Sequence, residues 1–248
     1  MIRPQLLRSV VAPSLCVACL ALAAGSPPAG ASSLSAAQLL NQAVSAANKA
    51  GSMSFDDHTT SGKLTQTLTG AISAPTAAES LTTTGEPDLQ VMLVGTTIYV
   101  QAGASVLEST LGLPAAASTA NAGKWISVQS GDSAFSQLSG QLTLSSELNN
   151  YVPATALRRG KATAVAGHRV IPITGRPASS SSNKGESVSV ALYVSPKAPY
   201  LPIGGSLVSA KKGTAGVKEV AVFSNWGKTV VLTAPTGAVP FSSLVGPS

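Results

Sequence analysis

The chain has 248 residues, of which 44% are apolar and only 10% are charged, and this composition suits one domain with a sizeable core. Its net charge of +6 is scattered, and the small basic clusters at 158–161 and 211–212 lack interleaved aromatic residues, which argues against nucleic-acid binding. A mild basic excess fits a membrane surface or an anionic lipid better.

The first 31 residues have the parts of a secretory signal peptide. Arg3 and Arg8 precede an apolar run at 10–24, and small residues follow at 29–31. The apolar run is too short to span a membrane comfortably. We therefore expect cleavage after Ala31 and export of a single mature domain, 32–248, to the cell envelope, the periplasmic space or the medium.

Cys19 offers an alternative route to the envelope, because a bacterial lipoprotein is cut just before a cysteine that then carries lipid. The residues around Cys19 depart from that signal, since the chain stays apolar through Ala24. Cys16 and Cys19 are the two cysteines of the chain, so a mature protein that starts after Ala31 has no disulfide.

Helical spacing of apolar residues predicts a first helix at 33–50, with Ser35 as its N-cap and Gly51 at its end. Predicted strands follow at 52–61, 64–73, 77–84, 88–94 and 97–101. Short helices are expected at 103–112, at 132–138 and from either Thr143 or Ser145 to Asn149, and a loop at 114–123. Further strands are expected at 124–129, at 156–174 as a hairpin that turns at Gly167, and at 186–194, 200–209, 217–224 and 229–233.

Consecutive strands joined by short turns form an antiparallel sheet. The sequence therefore predicts an α+β fold, in which a curved antiparallel sheet (a half-barrel) is covered on its concave face by the N-terminal helix and the short helices.

The hairpin at 88–101 has the clearest pattern. Gly95 and Thr96 suit a two-residue type II′ turn, because glycine accepts the positive φ of the first turn position. This turn places Val91 opposite Val100, and residues directly opposite share a face. One apolar face of the predicted sheet then includes Leu89, Val91, Leu93, Ile98 and Val100, and alternation in other strands adds Leu64, Leu68, Ile72, Val190 and Leu192.

Three short sequence motifs, in this order along the chain, resemble those of a known family. Val-Gly-Thr-Thr-Ile-Tyr-Val at 94–100, Gly-Lys-Trp-Ile-Ser-Val at 123–128 and Phe-Ser-Asn-Trp-Gly-Lys at 223–228 resemble actinobacterial envelope proteins of the LolA/LppX-like lipoprotein-carrier type. The resemblance implies an apolar cavity between sheet and helices, and the transport of lipids or lipoproteins. It assigns the ten apolar positions named above to the cavity wall.

Enzyme chemistry finds little support in the sequence. Asp56 and His58 share one face of a strand, but no nucleophile elbow, zinc-binding His-Glu-x-x-His or glycine-rich phosphate loop accompanies them. His168 falls in a turn, and Trp125 and Trp226 are typical of core anchors rather than ligand-stacking residues. Arg158, Arg159 and Lys161 fit a solvated strand end better than a site for lipid phosphate.

We therefore expect a protein that is not an enzyme and uses no cofactor or metal. Its expected partner is a lipid or acylated ligand, with a membrane surface as a second partner, and we expect a monomer. The few aromatics and the many Ala and Gly residues favour an incompletely filled interior. The alternative is a non-enzymatic envelope interaction module of the same fold with a filled core.

Overall fold

The structure is a computed structural model, and it describes residues 34–178, 186–211 and 215–245. The predicted signal peptide and Cys19 lie outside these ranges. Cleavage after Ala31 and lipidation of Cys19 therefore stay predictions.

Five α-helices and thirteen strands make up the described chain. The helices are α1 (Ala36–Ala50), α2 (Ala104–Leu111), α3 (Ala115–Asn121), α4 (Phe135–Gln141) and α5 (Leu144–Asn149). The strands of the first half are β1 (Ser52–Ser61), β2 (Leu64–Ser73), β3 (Thr76–Thr83), β4 (Leu89–Val94), β5 (Thr97–Gln101) and β6 (Trp125–Gln129). Those of the second half are β7 (Thr155–Arg159), β8 (Thr163–Val165), β9 (His168–Arg176), β10 (Glu186–Val194), β11 (Pro202–Lys211), β12 (Val217–Ser224) and β13 (Val239–Pro240).

The ends of α1 follow the capping rules that its sequence suggests. The Ser35 hydroxyl accepts the Gln38 backbone N–H at 3.2 Å, and the Gln38 side chain accepts the Ser35 N–H at 2.9 Å. Gly51 ends the helix in the left-handed region, with φ of 72°, which glycine adopts without steric cost. The predicted helix is confirmed, and its buried stripe includes Leu39, Leu40, Ala43 and Ala47.

The strands form one large sheet in the order β13-β6-β5-β4-β3-β2-β1-β12-β11-β10-β9-β7, and β8 pairs with β9. Every pair is antiparallel except β13 with β6. The sheet is curved and does not close on itself. At its centre β1 pairs with β12, so the two halves of the sequence join there. The predicted curved antiparallel sheet with an N-terminal helix and short helices is confirmed.

The register predicted for the hairpin is also confirmed, because Val91 pairs with Val100, Leu93 with Ile98 and Val94 with Thr97. Gly95 has φ of 63°, as the predicted turn requires. The hairpin turn at Gly167 is found as well, between β8 and β9.

Three local predictions were wrong. The expected loop at 114–123 contains α3, which its run of alanines favours. The expected strand at 229–233 does not form, because β12 is already paired on both sides and offers no free edge. Asp132 does not cap α4; its carboxylate accepts the backbone N–H of Gln129 at 2.7 Å, and Ala134 is the N-cap.

The helices cover one face of the sheet, called here the inner face. Helix α1 packs on β1, β7, β10 and β11, and α4 packs on β5. The core lies between these helices and the inner face, and the outer face is rich in Ser and Thr. Within the described ranges, no helix has the length and apolar character needed to cross a membrane.

Candidate functional site

All ten apolar positions that the sequence assigns to a cavity wall lie on the inner face, as the strand registers show. Most are packed in the core, and Val91 and Val100 are 1% and 0% exposed. The buried positions are Ile72, Leu89, Val91, Ile98, Val100, Val190 and Leu192. Leu64, Leu68 and Leu93 remain partly exposed.

The inner-face side chains that the helices do not fully bury lie mainly on β2 and β3. Leu68 pairs with Leu81 across these strands, and both side chains are partly exposed. Leu64, at the start of β2, is partly exposed too. Leu64, Leu68 and Leu81 thus form a strip that is partly exposed to solvent, although Leu68 and Leu81 also pack against the core.

Two surface depressions lie elsewhere. One, of about 410 Å³, has a floor on the outer face that includes Thr69, Ala78 and Met92. The other, of about 320 Å³, lies near the ends of β4 and β5, beside Pro87 and Gly123. None of the ten predicted wall residues lines either depression.

A group of buried acids interrupts the apolar inner face beside the exposed leucine strip. Asp57 on β1 and Glu219 on β12 are both 1% exposed. The Tyr151 hydroxyl lies 2.7 Å from Asp57 Oδ2 and 2.7 Å from Glu219 Oε1. Glu147 on α5 is buried nearby, and Glu79 occupies the inner face of β3. These five residues are called the acid cluster below.

Tyr151 reaches the sheet because the chain after α5 turns directly onto it. Its ring lies over Gly205 of β11, where an added Cβ would come within 2.3 Å of the ring. The ring of Phe223 meets it edge-on, with centroids 5.7 Å apart. The Thr143 hydroxyl caps the start of α5 by accepting the Ser146 N–H at 3.1 Å.

The Tyr151 hydroxyl has one proton to donate, so it can serve only one of the two carboxylate oxygens that lie 2.7 Å from it.

Burial raises the pKa values of Glu147, Tyr151 and Glu79. Desolvation raises the pKa of Glu147 well above its ordinary value, and the nearby Glu79, Asp57 and Glu219 raise it further. Asn150 opposes this by donating to Glu147 Oε2 at 3.3 Å, whereas Glu147 Oε1 has no hydrogen-bond partner. Desolvation also raises the pKa of Glu79 to about 7, although part of that residue's surface is open to solvent.

Within the described ranges, Glu79, Glu147 and Glu219 form no ion pair. The described residues include no group of three or more His, Cys, Asp or Glu side chains placed to hold a metal ion.

His58 has partners that resemble part of a catalytic triad. Its Nε2 lies 3.2 Å from Asp56 Oδ1, and its Nδ1 lies 3.1 Å from the Thr67 hydroxyl. The side chains of His58 and Asp56 are 58% and 55% exposed on the open outer face. Neither of the two depressions described above includes them.

The other candidates lie apart from the acid cluster. The Trp226 indole donates to the Pro202 carbonyl at 2.9 Å and packs edge-on against Phe223, as a core anchor does. Trp125 is partly buried on β6, and His168 is exposed at the start of β9. Arg158, Arg159 and Lys161 are exposed at or just after the end of β7.

Sequence reasoning missed the acid cluster. The signal was present, because Asp57 alternates in phase with Met53 and Phe55, and Glu219 alternates with Ala221 and Phe223. An acid at such a position is buried if its strand packs as predicted. The approach of Tyr151 from another part of the chain had no local signal.

No protein-family model matches this chain, and neither does any curated protein. Among solved structures, the Mycobacterium tuberculosis lipoprotein LppX aligns over 79% of this chain and 98% of its own, at 14% identity and a TM-score of 0.46. LprF from Mycobacterium bovis aligns over 82% and 97%, at 14% identity and a TM-score of 0.45. A LolA superfamily protein from Nitrosomonas europaea aligns over 78% and 93%, at 10% identity and a TM-score of 0.24.

The chain is thus similar to these solved structures at identities of 14% or less.

Proposed function

We propose that this protein is an exported, non-enzymatic carrier that binds an acyl-chain lipid or a lipidated ligand between the inner face and the helices. The partly exposed strip at Leu64, Leu68 and Leu81 carries this proposal. Helices that cover a sheet face normally shield its side chains from water. Apolar surface that stays exposed on such a face favours the binding of an apolar ligand.

Binding then requires the short helices to separate from the sheet, since most of the predicted wall is packed against them. An acyl chain that enters beside Leu68 replaces helix–sheet contacts with chain–sheet contacts. Burial contributes about 0.8 kcal/mol per methylene, so a long chain offsets the loss of packing. No covalent step is needed.

Uptake of a fluorescent fatty-acyl probe tests the proposal. Leu81→Ser places a hydroxyl on the exposed strip and should weaken probe binding about fivefold or more, which corresponds to about 1 kcal/mol. Met92→Ser is the matched control, because Met92 is also partly exposed but lies on the outer face. Equal effects of the two substitutions would contradict binding at the inner face.

Native mass spectrometry of protein purified from its own host gives an independent test. A co-purifying lipid supports the carrier. N-terminal sequencing of the same material tests export, with a start near Ser32 expected for simple secretion and an acylated Cys19 for the anchored alternative.

The burial of Val91 and Val100 favours a second candidate, a non-enzymatic envelope interaction module whose core is filled. This candidate predicts no lipid adduct and no probe uptake in the wild-type protein. The two experiments above therefore separate it from the carrier.

A further inference from the structure

The basic residues of the predicted mature chain are unevenly distributed. Residues 155–176 contain five Lys and Arg residues and no Asp or Glu, whereas 32–154 and 177–248 together contain nine basic and ten acidic residues. The basic excess of the mature protein therefore lies entirely in β7, β8, β9 and their connections. All five basic side chains of this segment are exposed: Arg158, Arg159, Lys161, Arg169 and Arg176.

The fold brings these five cations to one edge of the sheet, called here the basic edge. β7 is the last strand in the sheet order and pairs with one part of β9, while β8 pairs with another part of the same strand. Arg169 and Arg176 lie on β9, so strand pairing adds them to the three cations that are neighbours in sequence at 158–161.

The cations of the basic edge lie on both faces of the sheet. Arg158 pairs with Thr174 on the outer face, and Arg159 pairs with Ile173 on the inner face. Positive charge is therefore presented edge-on rather than on one face, which suits contact with a flat, extended surface. Small exposed side chains lie between the cations and leave such a surface free to approach: Ala162, Ala164 and Ala166.

The charge of the basic edge is not neutralised by acids of this chain. Within the ranges that the structure describes, Arg158, Arg169 and Arg176 form no ion pair with an acid. Neither of the two depressions described above includes a residue of the basic edge. Residues 155–176 also contain no Phe, Trp or Tyr on which nucleic-acid bases could stack. These features favour a partner surface that carries many negative charges.

We propose that the basic edge docks this protein on the surface of an anionic lipid bilayer. Charge complementarity carries the proposal, because a Lys or Arg is attracted to such a surface when it comes within about a Debye length, which is about 8 Å at physiological salt. Five cations on one edge can come that close to a flat bilayer together. The use of docking, to load or deliver a lipid at the membrane, rests on the proposed function, but docking itself does not.

Cosedimentation of the purified protein with lipid vesicles tests the docking. Vesicles of phosphatidylcholine with about 30% phosphatidylglycerol should bind the protein at about 50 mM salt, and about fivefold or more weakly at about 300 mM, because salt screens the attraction. Vesicles of phosphatidylcholine alone have no net charge and should not bind it. No binding to the anionic vesicles, or equal binding to both kinds, would overturn the proposal.

Two matched double variants separate the basic edge from net charge. Arg158→Gln with Arg169→Gln should weaken binding to the anionic vesicles about tenfold or more, since each cation near the surface contributes a factor of about five. Lys63→Gln with Lys124→Gln removes the same charge from exposed positions before β2 and β6, and should weaken binding about twofold or less. All four side chains are exposed, so both variants should unfold at the wild-type midpoint. Equal losses of binding would assign it to overall charge and overturn docking at the basic edge.

Two further measurements identify other outcomes. Tight binding of polyglutamate by a protein that does not bind anionic vesicles would assign the basic edge to an acidic protein partner and overturn membrane docking. Acyl-probe uptake separates docking from the carrier proposal. Vesicle binding without uptake supports docking and contradicts the carrier, whereas uptake without vesicle binding supports the carrier and overturns docking.

Discussion

Replacing Glu79 with Gln should stabilise the protein at neutral pH and have little effect in acid. Glu79 faces the acid cluster from β3, and burial raises its pKa from 4.5 to about 7. Its carboxyl is therefore protonated in the folded state over a pH range in which the unfolded chain has lost that proton. Folded-state stability falls as the pH rises through this range, because the folded protein binds more protons than the unfolded chain.

The size of the effect follows from the two pKa values. Each pKa unit corresponds to 1.36 kcal/mol, so full ionisation of Glu79 costs up to about 3 kcal/mol, and its partial contact with solvent lowers this to about 1–2 kcal/mol. Gln has nearly the same shape and no charge. At about pH 7.5 Glu79→Gln should raise the free energy of unfolding by that amount, and Tm by about 2–8 °C.

Urea unfolding at about pH 5 and about pH 7.5 measures the difference. The free energies of unfolding of variant and wild type should differ by less than about 0.5 kcal/mol at the lower pH, and the difference should be larger at the higher pH. Glu86→Gln is the matched control, since Glu86 is exposed in the turn after β3. A gap that is the same at both pH values would refute the assignment of a raised pKa to Glu79.

Four further substitutions and one control have defined outcomes in thermal or denaturant unfolding. Gly205→Ala should cost about 2 kcal/mol or more, because the new methyl group would overlap the Tyr151 ring, whereas Gly131→Ala, with open space around it, should be nearly neutral. Val91→Phe and Val100→Phe should each cost about 1–3 kcal/mol by overpacking the core, and wild-type stability in either variant would instead indicate an open cavity there. His58→Ala should change stability by less than about 0.5 kcal/mol and leave probe uptake intact, since its contacts are on the exposed outer face; lost uptake would assign His58 a role in binding.

Much of the fold was predictable because local signals agreed with one another. The Gly95 turn, the alternation of its two arms and the caps of α1 each specify structure within a few residues, and all were found as predicted. The strand expected at 229–233 failed for a non-local reason. That segment has strand-forming residues, but whether a strand forms depends on a free sheet edge, and β1 and β11 occupy both edges of β12.

The candidate site was only half predictable. Alternation placed all ten apolar residues on the inner face, yet it could not say which of them the helices would seal. Whether Val91 is buried and Leu68 partly exposed depends on where α2–α5 pack on the sheet. The positions of these helices depend in turn on contacts between distant parts of the chain. The bridge from Tyr151 to Asp57 spans 94 positions in sequence and has no local signature.

The acid cluster is costly for a protein whose core is simply filled. Replacing buried polar groups with well-packed apolar residues is often neutral or stabilising, so three acids on the inner face and a fourth on α5 are poor choices for stability alone. The cost of burying Glu79 and Glu147 varies with pH, because burial raises the pKa of both carboxyls. The same cost is useful in a protein that must open, because it narrows the free-energy difference between the closed state and one in which water reaches these acids.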